Sequence, residues 1–143
     1  MSVSENASLA QRWNDAFNQR DWETQAAMTA EHGTIVNMAT GETLHGPEGA
    51  KQSSQVWASA FPDAQVETTN IVADEHGAVV EFIGRGTQTG PLPTPAGVIP
   101  PSGRPVELRF CSVNRIENGK VTEARLYFDV LGLMQQLGVS SSS

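Results

Sequence analysis

The chain has 143 residues, 38% of them hydrophobic and 17% charged, which suits one domain built around one core. A formal net charge of −7 argues against a nucleic-acid or anionic-membrane partner, and no apolar run approaches the ~20 residues of a membrane span. A single cysteine, Cys111, excludes an internal disulfide and a cysteine-based metal site, and the absence of a basic segment followed by an apolar one predicts a cytoplasmic protein.

Ser2 and Glu5 have capping-box spacing, so a helix is predicted to begin just after Ser2. Leu9, Trp13, Ala16 and Phe17 then recur on one helical face. Asp21 reads as the N-cap of a short second helix with Trp22, Ala26 and Ala30 on one face and Gly33 as its stop. A short strand follows over 34–38, and Thr40-Gly41 turns it back. Gly46-Pro47 opens a third helix, with proline in the first turn where its missing N–H costs little. The apolar face of that helix is Ala50, Trp57, Ala60 and Phe61, and Pro62-Asp63 breaks it.

From residue 64 the pattern changes to long strands over 65–73 and 78–86, separated by a turn at 74–77. The stretch 89–104 carries five prolines and three glycines and reads as a loop. A loop this long in a compact domain is commonly functional, and its prolines make it stiff enough to form a rim. Asn118-Gly119 is a strong hairpin signal, because both residues accept positive φ, and it joins strands over 106–116 and 121–128. The last of these ends at Asp129, which is followed by an apolar run from Val130 to Met134. Asp129 has two readings: the cap of a helix starting near Val130, or an acid/base whose pKa is raised by burial. The closing serines read as a frayed tail.

Helices first and an antiparallel meander second describe an α+β fold in a single domain, 1–143, with its core at about 5–139. The expected form is a cone in which a curved sheet is covered on its concave side by the N-terminal helices, with a pocket at the mouth. Val, Ile and Leu on more than one face of the strands predict a homodimer through the outer face of the sheet. No phosphate loop or dinucleotide fingerprint is present, since Gly84-Arg85-Gly86 lies in a strand. His32, His45 and His76 are scattered and unpaired, so neither a metal nor a cofactor is expected.

Several ordered pieces carry a resemblance. They are Gly46-Pro47-Glu48-Gly49, Ala60-Phe61-Pro62-Asp63, Gly86-Thr87-Gln88-Thr89-Gly90, Ile99-Pro100-Pro101-Ser102-Gly103-Arg104, Asn118-Gly119-Lys120-Val121, and Asp129 followed by Gln135-Gln136-Leu137-Gly138. Together they resemble the SnoaL-like polyketide cyclases, or ester cyclases, of the nuclear transport factor 2-like superfamily of cone-shaped α+β barrels. The resemblance implies a catalytic Asp at the end of the last strand, which maps onto Asp129. It also implies a histidine where this chain has Gln88, a side chain that hydrogen-bonds but carries no proton at neutral pH.

Alternation puts Arg125, Tyr127 and Asp129 on one face, with Phe82 on the face of Gln88. The penultimate strand contributes either Leu108, Phe110 and Ser112 or Arg109, Cys111 and Val113. Trp13, Trp57, Phe61, Phe82, Phe110 and Tyr127 are candidate walls for a small apolar or polycyclic carbonyl substrate, and Asn37 is a candidate polar handle. Three functions compete. The first is cofactor-independent ring closure of the intramolecular aldol type, with Asp129 and Gln88 as the catalytic pair. The second is epoxide hydrolysis or ring closure through Glu81, Arg109 and Asp129, if all three point inward. The third is a non-enzymatic small-molecule binding module, favoured if Asp129 points outward and caps a helix.

Overall fold

The structure, a computed structural model, describes residues 2–139, so the closing serines lie outside the described residues. Helix α1 (Val3–Asn18) starts where the capping box places it: Ser2 Oγ accepts the Glu5 N–H and donates to the Glu5 carboxylate. Helix α2 (Trp22–Ala27) is capped by Asp21, which accepts the backbone N–H and the hydroxyl of Thr24. Gly33 does not stop this helix. It lies inside strand β1 (Thr29–Asn37), which begins five residues before the expected position. The reason is a close approach: a Cβ at Gly33 would sit 2.9 Å from the Val121 carbonyl oxygen of the neighbouring strand.

Strand β2 (Thr43–His45) returns from the turn at Gly41, and helix α3 (Gly46–Ala60) carries its proline in the first turn. Strands β3 (Gln65–Asp74) and β4 (Gly77–Thr87) form the first long hairpin. The stretch read as loop contains a small hairpin of its own, β5 (Leu92–Thr94) with β6 (Gly97–Ile99). Strands β7 (Pro105–Glu117) and β8 (Lys120–Phe128) turn at Asn118 and Gly119, whose φ angles are 53° and 75°, as a two-residue hairpin loop requires. Helix α4 (Val130–Gln136) closes the described chain.

Six strands form one curved, unclosed sheet in the order β2-β1-β8-β7-β4-β3. The strands after residue 64 pair antiparallel throughout, but β1 runs parallel to β8, a pairing the meander pattern did not reveal. Helices α1 and α3 pack against this sheet. Two apolar clusters fill the space between. One gathers Phe17, Phe61, Leu108, Phe110 and Leu133; the other gathers Leu9, Ala50, Val80, Ile116 and Val121.

Register aligns the inner face into cross-strand rows. Phe82, Phe110 and Phe128 stand side by side on β4, β7 and β8. The next row holds Val80, Ser112, Leu126 and, on β1, Asn37; the row beyond holds Ala78, Asn114, Ala124 and Ile35. The rings are therefore gathered in one row, and the rows beyond it are aliphatic with Ser112, Asn37 and Asn114 among them.

Candidate active site

Between the helices and the inner face of the sheet lies a cavity of about 270 Å³. Seven aromatic rings stand in its wall among aliphatic and polar side chains. Phe82 and Phe110 stack with centroids 5.0 Å apart and planes 9° from parallel. Trp57 from α3 stands edge-on to Phe110 and Phe128 at 5.5 and 5.3 Å. Phe61 stacks on Trp57, and Trp13 and Phe17 line the cavity from α1. Such ring contacts contribute roughly 0.5–1.5 kcal/mol each beyond burial. Gly84 makes room for them, because a Cβ there would lie 3.0 Å from the Phe110 ring. The β7 residues facing in are Leu108, Phe110 and Ser112, which decides the alternative that alternation left open.

Of the side chains singled out from sequence, Trp13, Asn37, Trp57, Phe61, Phe82 and Phe110 line this cavity together. Tyr127 does not; it is 41% exposed on the opposite face, since β8 turns Leu126 and Phe128 inward. Asn37 serves two purposes. Its Oδ1 accepts the N–H groups of Ala39 and Thr40, which shapes the turn after β1 and leaves Nδ2 as the group available to a ligand.

Asp129 does not enter the cavity. It is exposed and caps α4, accepting the Gly132 N–H at 2.9 Å. Gly132 permits the cap, because a Cβ there would lie 2.6 Å from Asp129 Oδ2. Both sequence neighbours of Asp129, Phe128 and Val130, line the cavity, while Asp129 itself is exposed. Arg125, weighed as a partner of Asp129, is paired with Glu123 at 2.7 Å.

Gln88 is also not a cavity group. It is fully buried and staples the 89–104 segment: Oε1 accepts the Ser102 N–H, and Nε2 donates to the carbonyls of Gly90, Ile99 and Pro100. The surrounding glycines fit against the end of α3, where a Cβ at Gly90 would collide with the Ser59 carbonyl oxygen. Thr87 N–H reaches Asp63 Oδ1, and the Thr89 and Gly90 N–H groups reach the Ala60 carbonyl. The Ala60-Phe61-Pro62-Asp63 and Gly86-to-Gly90 motifs are thus two halves of one junction. The segment contributes Leu92 and Pro93 to the cavity wall.

Glu81 and Arg109 are exposed and on the outer parity of β4 and β7, so the cavity does not assemble them with Asp129 as epoxide chemistry would need. Among the described residues, the charged side chains along the cavity are Glu42 and Arg85, both exposed. Arg85 is held by Glu67 and Glu107 at 3.0 and 2.7 Å. No group of three or more His, Cys, Asp or Glu residues suited to a metal occurs among the described residues. No helix among them is long and apolar enough to cross a membrane.

The remaining uncharged polar lining is Asn14, Gln25, Thr40, Ser53, Ser54, Ser112 and Asn114, of which only Ser112 entered the sequence reading as a lining residue, as part of an alternative. A signal existed for some of them. Asn14 is spaced four from Ala10 and three from Phe17 on the apolar face of α1, and Ser54 interrupts the stripe of Ala50, Trp57 and Phe61. Ser112 and Asn114 share parity with Phe110. Ser112 Oγ lies 3.1 Å from Asn114 Oδ1, and Asn114 Nδ2 donates to the Ala78 carbonyl.

A family model described as SnoaL-like polyketide cyclase matches residues 7–137. Among solved structures, TsrD from Streptomyces laurentii is similar at 25% identity and a TM-score of 0.82, covering 98% of this chain and 99% of its own. A protein from Jannaschia sp. CCS1, described as a SnoaL-like polyketide cyclase, shares the fold at 22% identity and a TM-score of 0.82, over 96% of this chain and 94% of the other. IdmH from Streptomyces antibioticus, described as a polyketide cyclase, is 25% identical with a TM-score of 0.73, over 94% of this chain and 99% of its own. No curated protein matches the chain in sequence.

Proposed function

The chain belongs to the SnoaL-like polyketide cyclase family, and on that premise we propose that it closes a ring in a polyketide-like carbonyl compound by intramolecular aldol addition, without a cofactor. A proton leaves the carbon beside one carbonyl. The enolate carbon then forms the new C–C bond to a second carbonyl carbon, and the resulting alkoxide takes up a proton. The observation that carries this reading is the cavity itself: flat aromatic walls with uncharged polar groups among them. Such a space holds the two ends of a flexible carbonyl chain within reach of each other, which supplies the entropic part of catalysis. Asn37 Nδ2, oriented by the two turn bonds on Oδ1, is the donor for the enolate oxygen.

The proton carrier in this proposal is Asp129, which lies in sequence between two lining residues and is the position onto which the family resemblance maps a catalytic Asp. Asp129→Asn is the informative variant. Asn caps a helix about as well as Asp, so α4 stays in place while the titrating group is removed. With a linear poly-β-keto ester as substrate, ring closure in Asp129→Asn should fall ~10²–10⁴-fold while binding persists. An unchanged rate would remove Asp129 from the chemistry.

A second reading is favoured by the same exposed helix cap: a binding module that holds an apolar ligand without transforming it. Tight binding of the ester by the wild-type protein, with no acceleration of ring closure over buffer, would decide for that reading.

A further inference from the structure

Gln25 is fully buried, lines the cavity from α2, and has an amide whose orientation is fixed. Its Nε2 donates to the Trp13 carbonyl at 3.1 Å, an atom that only accepts, so the other amide atom is the carbonyl Oε1. That oxygen has no hydrogen-bond partner among the described residues. A buried acceptor left unpaired is unfavourable, and native proteins rarely retain one without a use. Asn14 of α1 is a second amide at the cavity. It is 6% exposed and lines the cavity, and its amide is hydrogen-bonded to Thr68 Oγ1. The α1–α2 side of the cavity therefore holds one unpaired carbonyl oxygen, that of Gln25.

We propose that Gln25 Oε1 forms an acceptor subsite for an uncharged hydroxyl of the ligand, so that the compounds this chain takes are hydroxylated carbonyl compounds whose hydroxyl end lies against α1 and α2. The inference rests on the cyclase-type reading of the same cavity and names the chemistry of one end of its ligand. An anionic end is disfavoured there, since a carboxylate is repelled by the unpaired carbonyl oxygen and no cationic side chain lines that side. A cationic end is disfavoured, since no carboxylate lines that side and an apolar cavity desolvates charge at high cost. A neutral O–H satisfies the acceptor and carries little desolvation penalty. Asn37, which presents a donor instead, suits the carbonyl end of the same molecule.

The test uses three planar probes of equal ring size: 2-naphthol, 2-methoxynaphthalene and 2-naphthoate, each titrated calorimetrically into the wild-type protein and into Gln25→Met. The wild type should bind 2-naphthol roughly tenfold more tightly than 2-methoxynaphthalene, the factor of one well-placed neutral hydrogen bond, and 2-naphthoate most weakly. Gln25→Met should bring the first two affinities together. Equal affinity for naphthol and its methyl ether in the wild type would overturn the acceptor subsite while leaving the apolar cavity reading intact. Binding of none of the probes would overturn both. Should Gln25→Met fail to fold, the wild-type ranking still decides, together with the Gln25 side-chain amide resonances. These should shift with 2-naphthol and not with its ether, and a shift equal for both would refute the assignment.

Discussion

At the residue scale, Gln88 and Asp129 both have a structural task in the fold, one as a staple of the 89–104 segment and the other as a helix cap. Gln88 satisfies four backbone groups from a fully buried position. Gln88→Ala should strand an N–H and three carbonyls and lower stability by on the order of 3 kcal/mol. Differential scanning calorimetry should read a loss of roughly 10 °C in Tm for a domain of this size. A drop in activity at unchanged Tm would contradict the staple. Asp21 provides a pH-dependent counterpart. The Thr24 hydroxyl, and after it the Thr24 N–H, hold its carboxyl below the usual value of 3.8. Its folded pKa is depressed, so its contribution is present above 3.8 and is lost as pH falls through the lower folded value. Asp21→Asn keeps the cap without that titration. The Tm gap between wild type and variant should therefore narrow as pH drops below 3.8, and a gap constant with pH would refute the linkage.

At the element scale, the β5–β6 hairpin is more than a rim. Leu92 and Ile99 are buried in the core cluster with Phe61 and Leu133, and Leu92 also faces the cavity. Leu92→Ala should cost about 2–5 kcal/mol, as large-to-small core changes do, and should also weaken binding of planar ligands. Chemical denaturation measures the first and calorimetric titration the second. A change in binding alone would mean that the hairpin packs only on the ligand. The segment reads as loop from sequence because five prolines break every periodic signal. A three-residue strand with little partner surface leaves no pattern to find. The same limit applies to the first half of β1, where Gly33 resembles a helix stop because the close approach that requires it comes from β8, far away in sequence.

At the scale of the whole molecule, the cavity exists because three distant segments bring their rings together: Trp57 and Phe61 from α3, Phe82 from β4, and Phe110 with Phe128 from the last hairpin. Trp13 and Trp57 both line it, so a planar aromatic ketone should quench intrinsic fluorescence on binding. Trp57→Phe should retain the fold while removing much of that quench. Quenching undiminished in Trp57→Phe and in Trp13→Phe would place the ligand outside the cavity.

Much of the architecture was determined locally. The capping box at Ser2, the Asp21 cap, Pro47 in the first turn of α3 and the Asn118-Gly119 turn each act through residues within a few positions, so the sequence shows them directly. The ordered motifs from Gly46 to Gly138 likewise identify the family, because the junction they build is a fixed set of close backbone contacts. Direction across the sheet was different. Alternation says that Leu108, Phe110 and Ser112 share a face, but only the packing of α1 and α3 on one side says which face is inside. The same packing turned Tyr127 out, left Asp129 exposed, and placed Asn14 and Gln25 in the lining of a cavity. Orientation depends on contacts between residues far apart in the chain, and no local spacing encodes which of two equivalent faces those contacts will cover.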